Sequence, residues 1–182
     1  MKKKSVCSIF LTMVLMMLTG CEMQLGSKYI DKPEQYGEWE SYLNIPSFLP
    51  ASIDDYQVNS YSYTLLAYMD ICYEIFVDIS VTEEQFEQLI AEAKACPKYK
   101  GEKAAYYCDG YKEIVYQDYY DVFSKKGNVG WADIEKIIYN SEMLNIVYVC
   151  FHSNDTAVYD LDKVAYFNRF SINENEYALN LG

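Results

Sequence analysis

Between residues 71 and 80 the chain alternates. Ile71, Tyr73, Ile75, Val77 and Ile79 are apolar, and Cys72, Glu74, Asp78 and Ser80 fall between them. A period of two marks a strand with one side on a core and the other largely wet, Phe76 being the exception on the polar side. Residues 56–66 are equally rich in strand formers, so a turn over 67–70 predicts an antiparallel pair. The period then changes. Phe86, Leu89, Ile90 and Ala93 lie at i, i+3, i+4 and i+7, the apolar stripe of a helix. Thr82 is placed to cap it, Gln85 stands three residues on to complete a capping box, Glu83 and Glu84 sit at the positive end of the dipole, and Pro97 stops it. A helix over about 82–95, lying across the strand pair, is the strongest local expectation in the chain.

After a polar loop at 98–103, residues 104–108 and 111–116 flank Asp109-Gly110. That dipeptide predicts a two-residue type I′ hairpin, because both central residues need positive φ. The second strand continues through Tyr119, Val122 and Phe123, and Gly127 marks the next turn. Residues 131–140 fit two templates: Ile134, Ile137 and Ile138 suit a helix face, while 137–139 suits a strand. A strand over about 134–139 fits better, since Asn140-Ser141-Glu142 and the run 146–151 then complete a hairpin. A turn at 153–156, a short strand within 158–172 and a frayed end at 173–182 finish the chain. Runs of strands with one long helix, and no βαβ alternation, predict an α+β fold: an antiparallel sheet of about five to seven strands with one main amphipathic helix, about 82–95, packed on one face.

The amino terminus obeys a different logic. Lys2, Lys3 and Lys4 precede an uncharged apolar run over 6–18 that ends in Leu18-Thr19-Gly20-Cys21. A basic end, an apolar core and small residues beyond it are the physical parts of a secretory signal peptide. The run is shorter than the roughly 20 apolar residues that cross a bilayer. The last four residues resemble the lipobox of bacterial lipoproteins, with Leu18 and Gly20 matching the family's −3 and −1 positions, Thr19 at the tolerant −2 position and Cys21 at the invariable +1 position. The resemblance implies cleavage between Gly20 and Cys21, lipidation of Cys21 and a protein held on the extracytoplasmic side of the cell membrane. Glu22 stands where the inner-membrane retention signal of double-membraned bacteria has Asp. Residues 1–20 are thus read as leader, 21–44 as lipidated cysteine and tether, with Trp39 a candidate anchor or contact, and 45–182 as one α+β domain.

Charge narrows the partners. Three of the 15 basic residues and none of the 27 acidic ones lie in the leader, so the mature chain has 12 against 27, a net −15. Such a surface repels nucleic acid. The 20 tyrosines fit either a genome rich in AT codons or a face of exposed rings, for which Tyr106, Tyr107, Tyr111, Tyr116, Tyr119 and Tyr120 are the candidates for stacking on a ligand. Cys72, Cys96, Cys108 and Cys150 remain in the mature domain. Cys96 and Cys108, the nearest pair, are candidates for a disulfide, and buried free thiols are the competing reading.

Catalytic constellations are thin. Cys150 and His152 share one side of a predicted strand, but neighbours on a flat strand align poorly as nucleophile and base. No Gly-x-Ser-x-Gly elbow, Walker sequence or Gly-x-Gly-x-x-Gly occurs, and Asp155, Asp160 and Asp162 match no EF-hand spacing. A single histidine and no Cys-x-x-Cys leave no zinc reading, and no cofactor is expected. The residues point to a non-enzymatic anchored domain that binds a protein or an envelope glycan. A tyrosine-based carbohydrate-binding module and a small hydrolase using paired carboxylates are the alternatives. In composition and layout the mature chain loosely resembles small tyrosine-rich bacterial lipoproteins.

Overall fold

A computed structural model describes residues 26–37, 47–67, 71–123, 128–153 and 165–172. The leader, Gly20, Cys21, Trp39 and the aspartates at 155, 160 and 162 lie outside those residues.

The alternating stretches become β2 (Gln57–Ala67) and β3 (Ile71–Ser80), paired antiparallel with Tyr63 opposite Ile75. Helix α1 follows over Glu83–Ala95. The Thr82 hydroxyl accepts from the Gln85 backbone N–H at 3.3 Å, and the Gln85 side chain accepts from the Thr82 N–H at 2.9 Å. The expected capping box is complete. Phe86, Leu89 and Ala93 are buried against Tyr61, Tyr63, Val77, Ile114, Ile137 and Tyr148. Tyr116 ties the far end of the helix to the sheet, donating its hydroxyl to the Ala93 carbonyl at 2.9 Å while its ring stacks on Phe48.

The chain continues through β4 (Gly101–Ala104), β5 (Lys112–Phe123), β6 (Asn128–Asn140) and β7 (Asn145–Ser153). All pairings are antiparallel, and the sheet order is β1-β2-β3-β7-β6-β5-β4. The ambiguous stretch around residue 134 is strand, as its hairpin with β7 requires. Asn140 Oδ1 closes that hairpin by accepting the N–H groups of Glu142 and Met143.

Four expectations are corrected. The stretch read as tether contains β1 (Gly26–Ile30), an edge strand pairing Lys28 with Leu65, followed by a 3-10 turn at Pro33–Gln35. Five residues, GSKYI, are too few to show a period, and their place at the edge is set by backbone pairing with β2. Tyr36 then docks the segment, donating to the Pro50 carbonyl at 2.6 Å. Second, the β4–β5 connection is a loop over 105–111 closed by the Ala105 N–H on the Tyr111 carbonyl, in place of a two-residue turn. Of the Asp109-Gly110 pair only Gly110 has positive φ, +78°, and a Cβ there would lie 3.1 Å from Asn140 Nδ2.

Third, in the stretch 158–172, where a short strand is expected, residues 158–164 lie outside the described ones and Ala165–Phe170 form helix α2. It ends in a Schellman motif: Ser171 takes φ +51°, its N–H bonds the Asn168 carbonyl, and the Ile172 N–H bonds the Phe167 carbonyl. Fourth, the polar side of β3 is not wet. Cys72, Glu74, Phe76 and Asp78 are all buried, in a second apolar layer where Tyr166, Phe167 and Phe170 of α2 pack on Ile134, Ile138, Val147, Val149 and Phe151. The sheet therefore has a helix on each face, and β3 and β7 run through the middle with both sides covered.

Loss of the cap and loss of the helix stripe should separate cleanly. Thr82→Ala is expected to cost about 1 kcal/mol in urea unfolding. Leu89→Asp, which buries a carboxylate among rings, should leave no cooperative transition.

Candidate functional site

The chemistry lies under α2, on residues that β3, β5, β6 and β7 turn toward it. Glu74 comes first in the chain. Its Oε2 accepts the Ala165 N–H and its Oε1 the Tyr166 N–H, both at 3.1 Å. A strand carboxylate thus takes two of the donors that the start of a helix leaves without an intrahelical partner. Burial pushes the Glu74 carboxyl up to about 7, against the downward pull of those two bonds.

One pleat pair along, Asp78 is saturated. Its Oδ1 accepts Asn145 Nδ2 at 2.7 Å and Asn59 Nδ2 at 2.9 Å, and its Oδ2 accepts Arg169 Nε at 2.6 Å. Arg169 is the only arginine in the chain. Asn145 also bonds the Ile79 carbonyl and receives the Tyr111 hydroxyl, so the network spans β3, β7, the 105–111 loop and α2.

A second polar group sits where β4, β5 and β6 meet. Lys136 Nζ, fully buried, lies 3.3 Å from Glu113 Oε1 and 3.1 Å from Asp118 Oδ1. Lys103 Nζ reaches the same two carboxylates, at 2.9 Å from Asp118 and 3.4 Å from Glu113. The longer contact is attraction without a well-aligned hydrogen bond on Glu113 Oε2. Tyr107 donates to Glu113, Tyr166 donates to Tyr107, and the Lys136 ammonium stands 5.6 Å from the Tyr166 ring centre. A bulge makes this possible. Strict alternation would turn Gln117 toward Lys136, but the register shift between Val115 and Gln117 brings Asp118 to that side instead. One buried cation and one at the surface then balance two buried carboxylates.

The residues singled out by sequence are dispersed. Cys150 is fully buried, and burial drives its thiol well above the ordinary range, the reverse of what a nucleophile needs. His152 lies half-buried, stacked on Tyr73 and 3.7 Å from Asp133. All four described cysteines are free. Cys96 packs on the α1 side, 3.7 Å from Ser47 Oγ, and Cys108 on the α2 side, so the sheet separates the pair that sequence proximity suggested. Of the tyrosines, Tyr111 and Tyr116 are core rings, Tyr107 is held at Glu113, and Tyr120 contributes its backbone to β5. Tyr106 and Tyr119 are 46% and 47% exposed, but Tyr106 lies on the loop beside α2 while Tyr119 pairs with Asp133 and points to the α1 side. They form no continuous row.

Sequence reasoning missed the buried ions. A signal existed for Lys136: Ile134 and Ile138 flank it at two-residue spacing, which places a cation on an apolar side. Glu74 between Cys72 and Phe76 carried the same mark.

An open cleft of about 470 Å³ adjoins this face, between β2 and α2. Asp31, Asn59, Ser60, Ser62, Ala165 and Asn168 line it. Among the described residues no three histidine, cysteine or carboxylate side chains gather to hold a metal, and no helix is long and apolar enough to cross a membrane. Comparison with protein-family models, with curated proteins and with solved structures finds no match to this chain.

Two outcomes follow from the buried ions. Lys136→Met should cost on the order of 3 kcal/mol, because it removes the buried one of the two cations that Glu113 and Asp118 share and leaves them only the half-exposed Lys103; chemical unfolding at neutral pH measures it. Glu74 has a folded pKa of about 7 against an ordinary 4.5. The folded state keeps a proton that the unfolded chain releases as the pH rises between those values, so its contribution is complete below the window and is lost through it. Relative to Glu74→Gln, the native protein should lose on the order of 3 kcal/mol between pH 4.5 and 7.5, and equal pH slopes for the two proteins would refute this.

Proposed function

We propose that the chain is a lipoprotein anchored through Cys21 on the extracytoplasmic side of a membrane, and that its domain works by binding rather than by catalysis. The observation that carries the address is the charge–apolar–lipobox succession of residues 2–21. Two acyl chains on one sulfur would anchor stably, at about 0.8 kcal/mol per buried CH₂.

Features of the fold support the binding reading. The carboxylates that could serve as acid or base are occupied: Glu113 and Asp118 by lysines, Asp78 by Arg169 and two amides, Glu74 by the α2 backbone. The thiol that could serve as nucleophile is buried and hard to ionise. What remains accessible is a polar cleft and an acidic exterior. With β1 beginning at Gly26, five residues beyond Cys21, the tether reaches no more than about 17 Å. The domain would stand close to the bilayer, with repulsion between its net −15 charge and anionic headgroups acting over a Debye length of about 8 Å. A docking partner would then meet it on the cell-envelope side.

Replacing Cys21 with Ser tests the address. The native protein should be cut before Cys21, take up labelled fatty acid and stay with membranes through a carbonate wash, and the variant should keep its leader uncut and take up no label. A Cys21→Ser protein matured at the same bond and still membrane-bound would overturn the reading.

A further inference from the structure

We propose that the cleft between β2 and α2 is a binding site for a neutral, hydroxyl-rich ligand, the non-reducing end of a glycan being the simplest chemistry that fits. This rests on the reading of the domain as a binding module and names the class of ligand and its place.

The α2-facing side of β2 carries Ser60, Ser62 and Thr64, since these residues pair with Asp78, Phe76 and Glu74 of β3. The neighbouring positions of β3 on that face, Phe76 and the fully bonded Asp78, leave this stripe of hydroxyls little packing to do. Ser62 is 94% buried, lines the cleft, and its Oγ has no hydrogen-bond partner within the protein. A buried hydroxyl without a partner costs stability unless something else supplies the bond.

The neighbouring group is preorganised. The bulge between Val58 and Ser60 sets Asn59 outside the regular ladder, where its Nδ2 donates both to Asp78 Oδ1 and to Ser80 Oγ at 2.9 Å. With the nitrogen committed, the amide oxygen is the end left to accept from a ligand. Asp31 adds a second acceptor, while Ser60, Ser62 and Asn168 add groups that both donate and accept. Sugar hydroxyls, each one donor and acceptor, match such a lining. An anion does not, because no cation lines the cleft among the described residues and the mature chain carries a net −15. The volume of about 470 Å³ holds one or two saccharide units.

The test uses the full-length protein in lipid nanodiscs, titrated with cellotriose, maltotriose and tri-N-acetylchitotriose and followed by saturation-transfer NMR and calorimetry. At least one of these neutral trisaccharides should bind saturably. Ser62→Ala should weaken it about tenfold, one hydrogen bond's worth, while leaving the melting temperature equal or higher. Ser153→Ala removes another buried hydroxyl without a partner, but one outside the cleft, and should leave binding unchanged. Absence of saturable binding by all three sugars, unchanged affinity in Ser62→Ala, or equal loss in Ser153→Ala would each overturn the proposal. Cys21→Ser protein should bind the sugar as the native chain does, so failure of the anchor and failure of the cleft are distinguishable.

Discussion

The structure depends on how β3 buries two carboxylates on the side that α2 covers. Glu74 and Asp78 lie one pleat pair apart in the middle of a sheet, and water reaches neither. A carboxyl group, protonated or ionised, is tolerated there only with partners aimed at it. The last described helix supplies them: two backbone N–H groups for Glu74 and the chain's single arginine for Asp78. The same helix brings Tyr166, Phe167 and Phe170 down on the apolar residues between. Docking of α2 and pairing of the carboxylates are therefore one event, and neither is stable alone.

The Lys136 group extends this dependence to the other half of the sheet. Its lysines and carboxylates come from β4, β5 and β6, and its tyrosines from the 105–111 loop and α2. Buried ion pairs of this kind contribute little net stability compared with apolar residues of like volume, but any rearrangement that separates the partners is costly. Their effect is to specify which strands meet. A bulge in β5 is part of that specification, since without it Asp118 would face α1.

With these buried groups engaged, the outward chemistry of the described residues is an acidic surface and a polar cleft. The cleft borders the same helix and the same strand pair, so the network that holds Asp78 also orients Asn59 at its rim. Binding and stability share these residues. The edge strand β1 ties that region toward the expected anchor, which would place the cleft near the membrane plane.

Much of this was legible along the chain, and the dividing line is physical. Local rules reached α1, because a capping box and an i, i+3, i+4, i+7 stripe are decided within a dozen residues, and they reached β2, β3, β6 and β7, because alternation and turn residues are equally short-ranged. They did not reach β1, which is held by a backbone ladder, nor α2, whose first turn is satisfied by a glutamate 91 and 92 residues earlier. The fates of Glu74, Asp78 and Lys136 lay further off still. A charged residue on an alternating strand reads as solvent-facing until a remote segment covers it, and whether that segment brings a counter-charge is settled by three-dimensional proximity. Sequence by itself determined the elements whose patterns are local; the tertiary structure alone decided which side of the sheet is dry, because desolvation is a property of the assembled layers and of no single stretch.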